Sequence, residues 1–296
     1  MCNQDKITRF LAYNGKISIV CAKTTNLVEN ARMIQDTSPV ATAALGRLLT
    51  ITAILGNNLK NEKDKITIQI KGNGPIKGMV SVSNKKAEVK GYAFEPIVDV
   101  PLKEEGKLDV GKAVGNVGFL NVIKDIGLKE PYIGMVPLVS GEIAEDFARY
   151  FAESEQTGTA VALGVLVDKN GVKSAGGYLI TVMPETDDET ISKIESNLSK
   201  IEPISKMLEK NLSLEQIAKT VSGDENIQIV EDNIIPRYCC DCSKERIKKV
   251  LVSLGKEELN KIIEEDKKAE IVCHFCNKKY DFDEKNLKEI IESINK

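Results

Sequence analysis

The sequence predicts an α+β protein: an N-terminal domain of mixed sheet and helix, a helical linker and a small cysteine-rich C-terminal domain. Three observations carry this. Residues 1–183 hold several strand-like runs separated by short Gly, Asn and Pro breaks. The next stretch is strongly acidic yet carries apolar residues at helical spacing. Five of the seven cysteines, Cys239, Cys240, Cys242, Cys273 and Cys276, cluster towards the C-terminal end. Charge divides the chain at the same places. Residues 1–183 carry 22 basic and 19 acidic groups (+3), residues 184–235 carry 5 and 12 (−7), and residues 236–296 carry 14 and 13 (+1). Pro184 and Pro236 punctuate the ends of the acidic part.

In chain order, residues 17–21 read as a strand. Ser38 and Pro39 open a helix, Ser38 as its cap and Pro39 at its first position, running to about Leu55 before Gly56 and Asn57. Strands are expected at 65–70, 76–83, 86–94, 117–124 and 133–139. Ser140 is expected to cap a second helix with Ile143, Phe147, Tyr150 and Phe151 on one face. A hairpin follows at 160–167 and 172–182, its turn at Asn170-Gly171 supplying positive φ angles. In the acidic part, Thr186 with Glu189 and Ser213 with Gln216 read as capping boxes. The apolar stripes Ile191, Ile194, Leu198, Ile201 and Ile217, Val221 need an apolar surface, and packing on the first domain supplies one. At the end, helices are expected at 244–254 and 256–266 and strands at 270–273 and 279–282. A unit of about 60 residues has a marginal core and ordinarily needs a staple.

Composition narrows the function. Lys and Arg number 41 against 44 Asp and Glu, a net charge of −3, so the chain is not a general polyanion binder. No apolar run is expected to approach the roughly 18 residues that span a bilayer. The start, Met1-Cys2-Asn3-Gln4-Asp5-Lys6, lacks a signal-peptide layout, so the expected location is cytoplasmic, with no membrane partner. His274 is the single histidine, which leaves no Ser–His–Asp triad or multi-His metal site without it. The run Gly106-Lys107-Leu108-Asp109-Val110-Gly111-Lys112-Ala113 approaches a phosphate-binding loop but ends in Ala where a magnesium-holding hydroxyl belongs. Gly72-Asn73-Gly74-Pro75-Ile76-Lys77-Gly78 misses the dinucleotide-binding spacing by one residue. No catalytic constellation stands out within 1–183, which favours a binding or regulatory protein over an enzyme.

The cysteines carry the chemistry. Cys240-x-Cys242 and Cys273-x-x-Cys276 are well separated in the chain, and four thiolates in two close pairs suit a tetrahedral zinc ion. Cys239 with Cys242 would also make a C-x-x-C pair, so spacing alone leaves two candidate first pairs. Bound thiolates remain nucleophiles toward peroxide and hypochlorous acid, and oxidation removes them as ligands. Apparent zinc binding of roughly 10–16 kcal/mol is comparable to a whole domain's stability of about 5–15 kcal/mol. A switch is therefore physically available. His274, inside the second pair, reads as a bystander, and Cys21 as a small buried hydrophobe. Cys2 has no assigned role.

These residues resemble one family over nearly the whole chain, the thirty-three-kilodalton chaperonin, a redox-regulated heat-shock holdase of bacteria. The resemblance rests on the run from Tyr132-Ile133-Gly134-Met135-Val136-Pro137 through Ser140-Gly141-Glu142 to Asp146, on Tyr150-Phe151 and Ser154-Glu155-Gln156, and on Ala175-Gly176-Gly177. It continues in Cys240-Asp241-Cys242-Ser243-Lys244-Glu245-Arg246 and in Cys273-His274-Phe275-Cys276 followed by Tyr280 and Phe282. It implies a substrate-binding and dimerisation core at 1–183, a helical linker at 184–235 and a redox-switch zinc domain at 236–296. It also implies one zinc ion per reduced chain on Cys240, Cys242, Cys273 and Cys276. On oxidation Cys240 would pair with Cys242 and Cys273 with Cys276, zinc would leave, and the last domain and linker would unfold. The active protein would be a homodimer that holds unfolded or partly unfolded clients without ATP. Cys239 departs from the family pattern, and the alignment on Cys-x-Cys-Ser-x-Glu-Arg retains Cys240 as the ligand. Competing readings are a zinc-ribbon nucleic-acid binder, which needs clustered positive charge where the last domain nets only +1, a thiol–disulfide oxidoreductase, and a passive zinc-stapled scaffold.

Overall fold

Residues that alternate between two apolar environments make the first strands, β1 (Lys6–Ala12) and β2 (Ile17–Lys23), joined through a tight turn at Tyr13–Gly15. The structure, a computed structural model, describes residues 4–294; Cys2 lies outside them. Two helices follow, α1 (Thr25–Gln35) and α2 (Pro39–Asn57), then β3 (Lys65–Gly72), β4 (Gly78–Asn84) and β5 (Glu88–Ala93). A short helix α3 (Val110–Val114) precedes β6 (Gly118–Asp125) and β7 (Tyr132–Pro137). Helix α4 (Ala144–Tyr150) widens into a π-turn at Phe151–Glu155 and leads to the hairpin β8 (Thr159–Asp168) and β9 (Gly171–Val182). The acidic part forms α5 (Asp188–Leu198), α6 (Ile204–Glu209) and α7 (Leu214–Ser222), then the strands β10 (Gln228–Ile234) and β11 (Arg237–Tyr238). The end of the chain holds α8 (Lys244–Leu254), α9 (Lys256–Glu265), β12 (Lys268–Val272), β13 (Lys279–Asp283) and α10 (Glu284–Ser293). The α+β class stands as expected. By its contacts the chain forms two units, one ending at Cys239 and one beginning at Cys240.

The first unit is built on two sheets. One runs β10-β1-β2-β9-β8, antiparallel throughout; the other runs β11-β5-β4-β3-β6-β7, antiparallel except where β11 lies parallel to β5. Helix α2 contacts strands of both sheets, and all but Pro39 and Arg47 of its residues are buried. Its buried threonines are satisfied by nearby acceptors. Thr42, Thr50 and Thr52 donate to the carbonyls of Ser38, Gly46 and Leu48, and Thr50 and Thr52 also meet Thr24 and Ser81. This corrects the expectation that no apolar run reaches bilayer length: Pro39–Asn57 does so by length and composition, and 89% of its apolar window is buried. An all-round apolar helix is stable in water only when surrounded, as it is here.

The first sheet is apolar on its other face too. There Phe10, Ile17, Ile19, Cys21, Tyr178 and Ile180 form a second core with Ile194 of α5, Met207 and Leu208 of α6, and Ile217 and Val221 of α7. The acidic part therefore packs on the first sheet through its apolar stripes. Gly164 and Gly176 face each other across β8 and β9. A Cβ at Gly164 would stand 2.9 Å from Ile204, and one at Gly176 2.5 Å from Leu208 and 2.3 Å from the Ala22 carbonyl. These two glycines let α6 lie directly on the strands.

Local details correct several expectations. Ser140 does not cap a helix. The buried Asp146 carboxylate instead accepts the backbone N–H groups of Val139, Ser140, Gly141 and Ile143, wrapping the loop so that the helix starts only at Ala144. Thr186 is not the cap of α5; its hydroxyl donates to the Met183 and Lys16 carbonyls, and Asp187 accepts from Thr190 N at 2.9 Å. The charged carboxylate is the stronger acceptor for a helix N-terminus. The Ser213–Gln216 capping box forms as expected. Ser38 and Pro39 open α2 as expected, although the Ser38 hydroxyl accepts from Val98 N instead of capping. The hairpin turn takes its positive φ at Gly171. The acidic part ends in β10, which pairs with β1, a partner distant in sequence.

A Gly176→Val variant should lower the stability of the first unit by about 1–3 kcal/mol, since the strands cannot shift away from α6 without losing pairing. A denaturant midpoint unchanged from the parent would sink this account of α6 docking.

Candidate metal centre

The second unit has a small core of Leu251, Leu259, Tyr280, Phe282, Leu287 and Ile290, against which Cys240, Cys242 and Cys276 pack. Two segments bring the sulfurs in. Cys240 and Cys242 lie just before α8, whose start is fixed by Ser243 accepting from Arg246 N at 3.2 Å. Asp241, between them, pairs with Arg246. Cys273 and Cys276 lie on the turn between β12 and β13, strands held in register by Ile271 opposite Tyr280 and Ala269 opposite Phe282. Within the turn Cys273 N donates to Lys278 O at 3.0 Å and Asn277 N to Cys273 O at 2.8 Å. Asn277 takes a left-handed φ of 56°, a conformation asparagine tolerates.

The four Sγ atoms all lie within 4.8 Å of one another. Cys240 stands 3.7 Å from Cys273, and Cys242 3.3 Å from Cys276. Sulfurs at about 2.3 Å from a tetrahedral ion stand about 3.8 Å apart, so the cluster has the size such an ion requires. The donor set is four thiols and no carboxylate or imidazole. The sequence expectation thus finds its four residues brought together, one pair from each segment. Cys239 and His274 are not in the converging group, and Cys21 is fully buried on β2, where burial pushes its thiol up.

The surroundings favour thiolate at Cys242 and oppose it at Cys240 and Cys276. Burial raises Cys242, but the Tyr280 hydroxyl, donating to its sulfur at 3.0 Å, and the neighbouring sulfurs outweigh it and bring the thiol down to about 7. Burial pushes Cys240 up despite a hydrogen bond from the Cys242 backbone, and Cys276 likewise despite one from Lys278. Backbone and hydroxyl donors aimed at ligand atoms are the usual outer support of a metal site. The role of Tyr280 has no signal in spacing, because its partner lies 38 positions away and meets it only through the hairpin.

Comparison with known proteins agrees with this layout. The family described as "Hsp33 protein" matches residues 5–283. The chain is 49% identical to a 33 kDa chaperonin of Alkaliphilus oremlandii, covering 98% of this chain and 97% of that one. It is 48% identical to a 33 kDa chaperonin of Clostridioides difficile, covering 98% and 100%. Among solved structures it is similar to the crystal structure of a 33 kDa chaperonin, a heat shock protein 33 homolog, of Thermotoga maritima. That match has a TM-score of 0.89 and 36% identity, and covers 99% of this chain and 100% of that one.

A metal held by the converging sulfurs should survive Cys239→Ser at one ion per chain and be lost in Cys240→Ser, read by elemental analysis of purified protein. The reverse pattern would move the ligand from Cys240 to Cys239.

Proposed function

The chain belongs to the Hsp33 family, and from that premise we propose that it is an ATP-independent holdase switched on by oxidation of Cys240, Cys242, Cys273 and Cys276. Chaperone function follows from membership of the family. The observation that carries the finer reading is the cluster itself: four thiols from two segments, supported by hydrogen bonds, in a unit whose hydrophobic core is small.

Zinc is the metal of this proposal, because four sulfur donors with no open position suit it over redox metals. Bound there, it would keep the thiols deprotonated and staple the two segments together. Peroxide or hypochlorous acid oxidises such thiols, and pairing Cys240 with Cys242 and Cys273 with Cys276 withdraws all four donors. Each pair then cross-links only residues within its own segment. The Cys240–Cys242 segment and the β12–β13 turn are no longer tied to each other. A core of this size does not hold such a unit folded unaided.

The acidic part, 184–235, is the proposed linker between a client-binding and dimerisation core at 1–183 and the switch at 236–296. Its packing on the outer face of the first sheet supports this. Withdrawal of α5, α6 and α7 would expose Phe10, Ile17, Ile19, Tyr178 and Ile180. Apolar burial is non-directional, so clients need share no sequence. The linker's excess of acidic residues keeps it solvated once released. The oxidised chain acts as a homodimer in the cytoplasm, where thiols are otherwise kept reduced. Its role is binding and not catalysis.

The test is light scattering from an aggregating, chemically unfolded protein in the absence of ATP. Zinc-loaded reduced chain should not suppress aggregation. Peroxide-treated, mildly warmed chain should, with one zinc released per chain. No suppression in either state, with zinc retained, would reduce the cluster to a structural staple. Hydrogen exchange supplies a second check: amides of 188–222 should be protected when reduced and exposed when oxidised. Equal protection in both states would remove the masking role of the linker.

A further inference from the structure

Cys239 adjoins Cys240 in the chain, yet the four-sulfur cluster leaves it out. It is partly exposed, and its sulfur is not in the converging group. Its backbone continues the pairing of β11 with β5: Arg237 N donates to Ala87 O at 3.1 Å and Cys239 N to Val89 O at 2.8 Å. The adjacent residue, Cys240, is already in the cluster. Three cysteines therefore occupy four consecutive positions, and the chain offers two ways to close a disulfide onto Cys242.

The two are not equivalent. A disulfide needs Cα atoms about 4.4–6.8 Å apart and favours about 5.5–6 Å. Two extended residues span about 6.6–7.2 Å, so a Cys240–Cys242 bridge requires Asp241 to leave the extended conformation, and it closes a tighter ring, around one residue instead of two. Residues three apart come within about 7 Å in any ordinary turn, and C-x-x-C is the spacing that redox pairs use. Strain makes a disulfide more reducible and more open to exchange. A bridge between Cys239 and Cys240 is disfavoured by the same measure, since neighbouring Cα atoms across a trans peptide are about 3.8 Å apart.

We propose that Cys239 is a third redox-active thiol of the first pair, which takes over Cys242 after oxidation and leaves Cys240 as the free thiol. This rests on the oxidation switch proposed above. Hydrogen peroxide first oxidises Cys240 and Cys242: the two thiols give up two protons and two electrons, one S–S bond forms, and the peroxide leaves as two waters. Cys239 Sγ then attacks Cys242 Sγ. The Cys239–Cys242 bond forms, the Cys240–Cys242 bond breaks, and the proton lost by Cys239 passes through solvent to Cys240. The second step needs no further oxidant. The oxidised chain thereby holds a less strained bridge and returns more slowly to the reduced state.

The full-length chain, zinc-loaded and then treated with warm peroxide, is sampled over time. Free thiols are trapped with N-ethylmaleimide in denaturant. The protein is then reduced, blocked with iodoacetamide and digested, and tandem mass spectrometry of the peptide 238–244 locates the maleimide. The expected result is label on Cys239 in early samples and on Cys240 in most late ones. Cys239→Ser should keep the Cys240–Cys242 bridge, show no label on this peptide, and be re-reduced by dithiothreitol faster than the parent. Label that stays on Cys239 while zinc is released and both disulfides form would overturn this inference and leave the switch standing. Cysteines that stay reduced with zinc retained would overturn the switch, and this inference with it.

Discussion

The first sheet is apolar on both faces, and the rest of the first unit follows from that constraint. One face is met by α2, which is itself apolar all round and so requires the second sheet on its far side. The other face is met by α5, α6 and α7. A buried aliphatic side chain contributes about 1.5–3 kcal/mol, so burial of Ile194, Ile204, Met207, Leu208, Ile217 and Val221 holds the acidic part in place against its own charge. Under the proposed function, withdrawal of that part would leave the same side chains open to other apolar chains, and closure and client binding would draw on one surface.

The second unit obeys the opposite constraint. Its core holds few large side chains, and much of its remaining surface is charged. The four sulfurs join two segments that stand well apart along the polypeptide. Cross-links between distant segments remove far more freedom from an unfolded chain than cross-links between near neighbours. A metal on all four sulfurs is a link of the first kind. Disulfides within each pair are of the second kind. The chemistry of the sulfurs can therefore change how well the unit is held while every peptide bond remains as it was.

Much of this was legible in the sequence because it depends on local pattern. The hairpin at Asn170-Gly171, the Ser213–Gln216 cap, the opening of α2 at Ser38-Pro39 and the helices before and after Gly255 are written in adjacent residues. The pair spacing of Cys240, Cys242, Cys273 and Cys276 marks a cluster without reference to the fold. At the caps and at β10 the structure departs from local pattern because a distant or stronger partner competes. Ser140 and Thr186 were plausible caps by type, but Asp146 and Asp187 are better acceptors and stand where the backbone N–H groups converge. Strand β10 sits in a segment whose composition reads as helix and loop, and it becomes a strand because β1 offers it an edge.

By itself the sequence determined the α+β class, the charge division, the apolar stripes of the acidic part and the four-cysteine donor set, since each depends on residue type and short spacing. Only the tertiary structure decided which face those stripes cover, that Gly164 and Gly176 admit α6, that Tyr280 donates to Cys242, and that Cys239 falls outside the converging sulfurs. Each of these is a distance between residues far apart in the chain, or the direction of a single side chain. Such quantities are set by packing and not by the order of neighbouring residues.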